Sequence, residues 1–80
     1  MDDKDLKIEF IALALIEYAV HKNIPIADAY SYLSKYQGIS FLDECYNIEH
    51  TLSMENIIED LDSVCENNGG QRYDTVVSRQ

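Results

Sequence analysis

Several residue types are scarce in this 80-residue sequence, and their scarcity limits the folds and cellular compartments that are possible. The sequence contains one proline, three glycines, no tryptophan and two cysteines, and those cysteines show neither metal-type spacing nor the density of a disulfide scaffold. The longest apolar run, Phe10 to Ile16, has seven residues, whereas a membrane-spanning helix needs about 20. We therefore expect a core helix in place of a membrane span, and free buried thiols at Cys45 and Cys65.

Basic residues are equally scarce. The sequence has six Lys and Arg residues and 15 Asp and Glu residues, which gives a formal net charge of −9. Binding to a phosphate backbone depends on a basic face, so this balance disfavours a nucleic-acid partner. The start of the chain, residues 1–5, is mostly acidic and lacks the basic character of a secretory signal. Together with the free thiols, this predicts a cytoplasmic protein.

Hydrophobic periodicity predicts an all-α fold. We expect one compact domain over residues 1–70 that has short connections, with no room in 80 residues for a second domain. Its four predicted helices span residues 5–22, 25–37, 41–50 and 54–66. Residues 71–80 lack helix periodicity, and we expect them to form a flexible, disordered polar tail.

Local signals mark the predicted helix ends and faces. Gly38 suits a left-handed residue after the second helix, while Ser40 and Ser53 suit N-caps of the third and fourth helices. On the second helix, Tyr30 falls on the apolar stripe and Tyr32 falls away from it. We therefore expect Tyr30 in the core and Tyr32 in solvent.

The strongest charge pattern is an acidic ridge on the fourth helix. Residues 36–70 contain eight acids and no Lys or Arg. Four of these acids share one side of the last helix: Glu55, Glu59, Asp62 and Glu66. Like charges at this spacing cost about 0.2–0.5 kcal/mol per pair, so local helix energetics do not explain the ridge. Two interpretations stay open, a solvated face that maintains solubility and a docking strip for a basic partner protein.

The first helix is apolar on two sides. One side carries Leu6, Phe10, Leu13 and Val20. Either another helix of the same domain covers this side, or a second chain does, as is common for small domains with limited cores.

We find no local constellation for catalysis, cofactor binding or metal binding. Cys45 and His50 project about 140° apart on a helix and do not converge on one ion. His50 instead suits a structural role, bonded to the last carbonyls of its helix. No glycine-rich phosphate loop, paired-cysteine motif or nucleophile elbow is present. We therefore predict that the chain is not an enzyme and has no cofactor, no metal and no small-molecule substrate.

A set of short motifs, mainly at core and capping positions, extends over roughly residues 6–66. They are Lys7-Ile8-Glu9-Phe10, Ala29-Tyr30, Gly38, Phe41-Leu42, Tyr46, His50-Thr51 and Ile57-Ile58-Glu59-Asp60-Leu61. In these motifs the chain resembles a family of small bacterial all-helical domains of unknown function. Members are often encoded beside proteins that look like ADP-ribosyltransferase-fold toxins, which implies an antitoxin-like or accessory role.

These observations together predict an acidic cytoplasmic protein-interaction domain. In this hypothesis the ridge of Glu55, Glu59, Asp62 and Glu66 steers and anchors a partner protein, with apolar contact from Phe10 and Leu13. The resemblance implies that the partner is a toxin-like enzyme. The alternative is a structural domain that forms a homodimer through its first helix. We expect no nucleic-acid or membrane partner in either case.

Overall fold

The computed structural model describes residues 3–71 and confirms the all-α fold. Its helices are α1 (Asp3–Lys22), α2 (Ile26–Lys35), α3 (Gly38–Glu44), α4 (Tyr46–Glu49) and α5 (Met54–Asn67). The single long helix predicted for residues 41–50 is two short helices, which meet at Cys45, where the helical backbone is interrupted. The predicted disordered tail lies almost entirely outside the described residues.

The core forms where α1 packs against α2, α3 and α5. Its largest fully buried side chains are Tyr18, Leu33, Leu42, Ile57, Leu61 and Cys65. Burial of a single large aliphatic side chain stabilises a fold by about 1.5–3 kcal/mol. Because the short helices α3 and α4 are too brief to be stable alone, they depend on this packing.

The turn between α2 and α3 differs from the predicted one. Gln37, not Gly38, takes the left-handed conformation, with φ 72°, and Gly38 is the buried first residue of α3. A Cβ atom at Gly38 would lie 2.8 Å from Leu33 Cδ2. The glycine is therefore required by the close approach of α2, and not by its own backbone angles.

Tyr30 and Tyr32 of α2 lie on the opposite sides from those that the hydrophobic pattern predicts. Tyr32 is buried, stacks on Tyr18 with ring centroids 6.3 Å apart, and donates a hydrogen bond to the Gln71 carbonyl at 2.6 Å. Tyr30 is 55% exposed. The buried stripe of α2 thus runs through Ala29, Tyr32 and Leu33, because α1 and the chain after α5 approach the helix from that side.

Ser53 caps α5 as predicted, since its side chain accepts a hydrogen bond from the Asn56 amide at 3.2 Å. Ser40 does not act as a cap because α3 begins two residues earlier. We expect Ser53→Ala to lower the free energy of unfolding by about 1 kcal/mol. Ser40→Ala, an exposed change inside a helix, is expected to cost nothing, and urea denaturation of both variants tests the difference. Equal losses from the two substitutions would contradict the assignment.

Candidate functional site

The acidic ridge of α5 is shorter than the sequence predicted. Glu55, Glu59 and Glu66 are exposed, but Asp62 is 3% exposed and lies in the core. The inclusion of Asp62 in an exposed docking strip is therefore wrong. The physical reason is that α5 turns this residue toward the last two turns of α1.

Asp62 is held there by two donors from α1. Tyr18 Oη donates to Asp62 Oδ1 at 3.0 Å, and Lys22 Nζ donates to Asp62 Oδ2 at 2.8 Å. Lys22 is itself buried, so the ion pair is shielded from water. A buried charge is tolerated when it is paired and hydrogen-bonded, and these three side chains satisfy that condition together.

The same environment changes the acidity of neighbouring groups. Burial, followed by the Asp62 carboxylate, raises the pKa of Tyr18 well above its usual range. The same two causes raise the pKa of the Cys65 thiol to about 11. Cys65 is therefore an uncharged core thiol at neutral pH, and nucleophilic thiol chemistry needs the thiolate.

The first helix presents an exposed apolar stripe, which we define as Leu6, Leu13, Ile16 and Val20. These side chains are 39–69% exposed. Leu6, Leu13 and Val20 are seven residues apart, and Ile16 lies between the last two at a spacing of three and four. This is the heptad spacing of a helix that packs along another helix. Glu9, which is also exposed, lies in the same stripe between Leu6 and Leu13.

Phe10 does not belong to this exposed stripe. It is half-buried against the core, and its ring meets the edge of Tyr46 with centroids 5.5 Å apart. Leu13 is 50% exposed. The structure therefore separates the two apolar residues that the sequence analysis grouped, because α4 covers Phe10 and leaves Leu13 open.

At its C-terminal end the apolar stripe meets an open depression. This hollow has a volume of about 580 Å³ and lies where α1 turns into α2. It is lined by Ile16, Ala19, Val20, Asn23, Ile24, Pro25 and Ile26. The exposed apolar surface therefore continues from α1 onto the first residue of α2.

A buried acid at the end of α4 was missed by the sequence analysis. Glu49 is 4% exposed, and its Oε1 atom accepts no hydrogen bond from the residues that the structure describes. Its carboxyl group meets that of Asp60 on α5, a contact that is a hydrogen bond only while one of the two is protonated. Burial and the Asp60 carboxyl raise the pKa of Glu49 to about 7.

The spacing around Glu49 held a signal for this burial. Leu42, Cys45 and Glu49 recur at i, i+3 and i+7, so the acid continues the apolar face of the residues before it. Exposed acids are so common on helices that the position alone did not stand out.

His50 has the structural role that its position predicted. Its Nδ1 atom lies 2.6 Å from the Tyr46 carbonyl oxygen, and its ring stacks on Tyr46 with centroids 4.5 Å apart. The short distance to a carbonyl requires a proton on Nδ1, so this nitrogen is the donor. Across residues 4–71, no three His, Cys, Asp or Glu side chains are grouped to hold a metal ion.

No single helix within residues 3–71 is long and apolar enough to cross a membrane. Helices α1 and α2 reach that length and composition only as a pair, bent by 111°.

The fold and these surfaces define a small all-α domain built around one core, with an apolar stripe and an acidic face on different helices. A family model for proteins of unknown function, DUF3791, matches residues 9–68. The chain belongs to this family. No significant match was found among curated proteins or among solved structures.

Proposed function

We propose that this domain acts by binding another protein, and that the apolar stripe of α1 receives an amphipathic helix of that partner. The observation that carries the proposal is the exposure of Leu6, Leu13, Ile16 and Val20 at heptad-like spacing. Contiguous apolar surface of this kind is a common mark of a protein-binding face. Helix-in-groove recognition uses anchors at the same spacing. The hollow beside Ile26 would receive the end of the partner helix.

Charge favours a basic partner over a second copy of the chain. Two identical chains would bring together net charges of −9, and such charge tends to keep a protein monomeric. Glu9 lies within the stripe and would be matched by a basic residue on the partner. The exposed acids Glu55, Glu59 and Glu66 would speed the approach of a basic protein without entering the contact.

Two narrower candidates follow from this proposal. A toxin-like enzyme is the partner that the family resemblance implies, and masking of its surface would make the domain antitoxin-like. Homodimerisation is the second candidate function, and the heptad spacing of the stripe is the observation that favours it. The cytoplasm remains the compartment in which we expect either function.

Replacement of Leu13 and Val20 together by glutamine tests the proposed surface. Glutamine maintains helix propensity, adds no charge and removes the apolar anchors. We expect the double variant to weaken binding of the partner that co-purifies with the tagged protein from its host by at least tenfold. Isothermal titration of the identified partner measures the change, and raised salt should weaken binding in both proteins.

Ile8→Gln is the matched control because Ile8 is 58% exposed on the same helix but lies about 140° around it from Leu13. It should leave the affinity unchanged. Equal binding by the Leu13 and Val20 double variant would overturn the proposal. A wild-type dimer in sedimentation that becomes monomeric in the double variant, with no partner captured, would instead establish the second candidate.

A further inference from the structure

A second open pocket, distinct from the apolar stripe, lies between α3, α4 and α5. Its volume is about 350 Å³. Most of its wall is apolar, and two carboxyl groups stand in it. The lining residues are Phe41, Cys45, Ile48, Glu49, Asp60, Ser63 and Val64.

Within residues 4–71, the recorded ion pairs place no Lys or Arg side chain on the carboxyl pair in this pocket. Glu49 Oε1 is buried and has no donor within the described part of the chain, and Asp60 adds a second carboxyl beside it. The sequence has no Lys or Arg between residues 36 and 70. The ion pairs formed by Lys7 and Lys22 engage Asp43 and Asp62 instead. A buried acceptor without a donor lowers the stability of the fold, and a cationic donor from outside would offset that loss.

The shape of the pocket limits the cation to a particular chemical class. Phe41, Ile48 and Val64 provide an apolar wall, which a hydrated metal ion would not use. A Lys or Arg side chain has an aliphatic stem that covers apolar surface and a charged end that donates to carboxylates. The pocket volume is ample for such a side chain and lies at the lower end of the range for small-molecule sites.

We propose that this pocket binds a Lys or Arg side chain of the partner protein, with the stem against Phe41 and Val64 and the cation on Glu49 and Asp60. The inference rests on the proposed function, since it assigns a specificity pocket to the same basic partner. The pocket gives two acids of residues 36–70, Glu49 and Asp60, a role in binding. This role does not require Asp62, which is buried in the core. Charge-assisted hydrogen bonds to both carboxylates would also fix the orientation of the partner.

Titration of the ¹⁵N-labelled protein with three small probes tests the pocket without any partner. The probes are the N-acetyl methylamides of lysine, arginine and norleucine, and norleucine lacks only the charged group of lysine. We expect saturable amide shifts at Cys45 and Val64 with the cationic probes. The affinity for these probes should be at least fivefold higher than the affinity for the norleucine probe. Affinity should rise at least threefold from pH 6 to pH 8, because the bound state needs both carboxylates ionised.

Glu49→Gln and Glu59→Gln provide a matched pair, since each removes one negative charge but only Glu49 lines the pocket. The first should reduce cation binding at least fivefold at pH 8 and the second should leave it unchanged. Any one of three results would overturn the proposal: no saturable shift up to 20 mM probe, equal binding of norleucine, or an equal effect of the two variants. Tighter binding of Ca²⁺ than of the organic cations would also overturn it.

Failure of this inference is distinguishable from failure of the proposed function. The Leu13 and Val20 double variant should bind the small cations normally, because the apolar stripe does not line this pocket. If the probes do not bind but the Leu13 and Val20 substitutions still weaken partner binding, only the pocket proposal fails. If the probes bind but these substitutions leave partner binding unchanged, only the proposed binding surface on α1 fails.

Discussion

Asp62→Ala is expected to remove most of the protein's free energy of unfolding at neutral pH. Removal of one partner from a buried ion pair costs about 3–5 kcal/mol, because the remaining charge loses its compensation without regaining water. Here the substitution leaves the Lys22 ammonium and the Tyr18 hydroxyl without this acceptor in the core. Stabilities of about 5 kcal/mol are typical at the lower end for small domains, so the loss approaches the whole free energy of unfolding. Far-UV circular dichroism and urea denaturation measure it.

Glu59→Ala is the control for this prediction, since Glu59 lies one turn earlier on α5 but is exposed. It should change the free energy of unfolding by no more than about 0.5 kcal/mol. A Lys22→Met, Asp62→Leu double variant should recover much of the stability, because apolar side chains of similar volume often replace a buried ion pair without loss. A folded Asp62→Ala protein of nearly wild-type stability would contradict the structural role of the pair.

The contrast between Asp62 and its neighbours shows where sequence periodicity stops being informative. The spacing of Glu55, Glu59, Asp62 and Glu66 gives the same side of the helical wheel for all four. Whether that side meets water or another helix depends on α1, which lies 40 residues earlier in the chain and carries Lys22. A sequence pattern on one helix cannot contain that tertiary information.

Elements governed by local chemistry were predicted more accurately. The hydroxyl of Ser53 and the apolar stripe that follows it fix α5 within one residue at its C-terminal end. Pro25 directly precedes the first residue of α2. The turn at Gly38 differs from the predicted one because two different constraints favour glycine, a positive φ and a close approach of another helix. The sequence does not distinguish these two constraints, and the structure does.

The candidate site also contains features that the sequence predicts and features that it does not. The first helix is apolar on two sides, and the side that carries Leu13 and Val20 is exposed, since no other described helix covers these two side chains. Phe10 departs from that pattern because the helix break at Cys45 lets α4 place Tyr46 against its ring. Neither the break nor the burial of Glu49 follows from helix propensity.

Glu49 should make the protein less stable as the pH rises, and Glu49→Gln should remove this effect. The pKa of Glu49 is raised from 4.5 to about 7 in the folded protein. Between these values the folded state retains a proton that the unfolded state has released, so the free energy of unfolding falls as pH increases. One pKa unit corresponds to about 1.4 kcal/mol, which puts the loss between pH 5 and pH 8 on the order of 2–3 kcal/mol.

The stability of Glu49→Gln should therefore differ from that of wild type above pH 7 but not well below it. At pH 5 the wild-type carboxyl is protonated and neutral like glutamine, so the two proteins should have similar stability. At pH 8 Glu49→Gln should be more stable by about 2 kcal/mol, because it removes a buried charge beside Asp60. Urea denaturation at both pH values measures this difference. Glu59→Gln retains Glu49, so its difference in stability from wild type should be the same at pH 5 and at pH 8. A Glu49→Gln protein that is less stable than wild type at pH 8 would mean that the ionised carboxylate already has a cationic partner. That result would also contradict the proposed cation site, because a cation from the protein itself would already occupy the carboxylates.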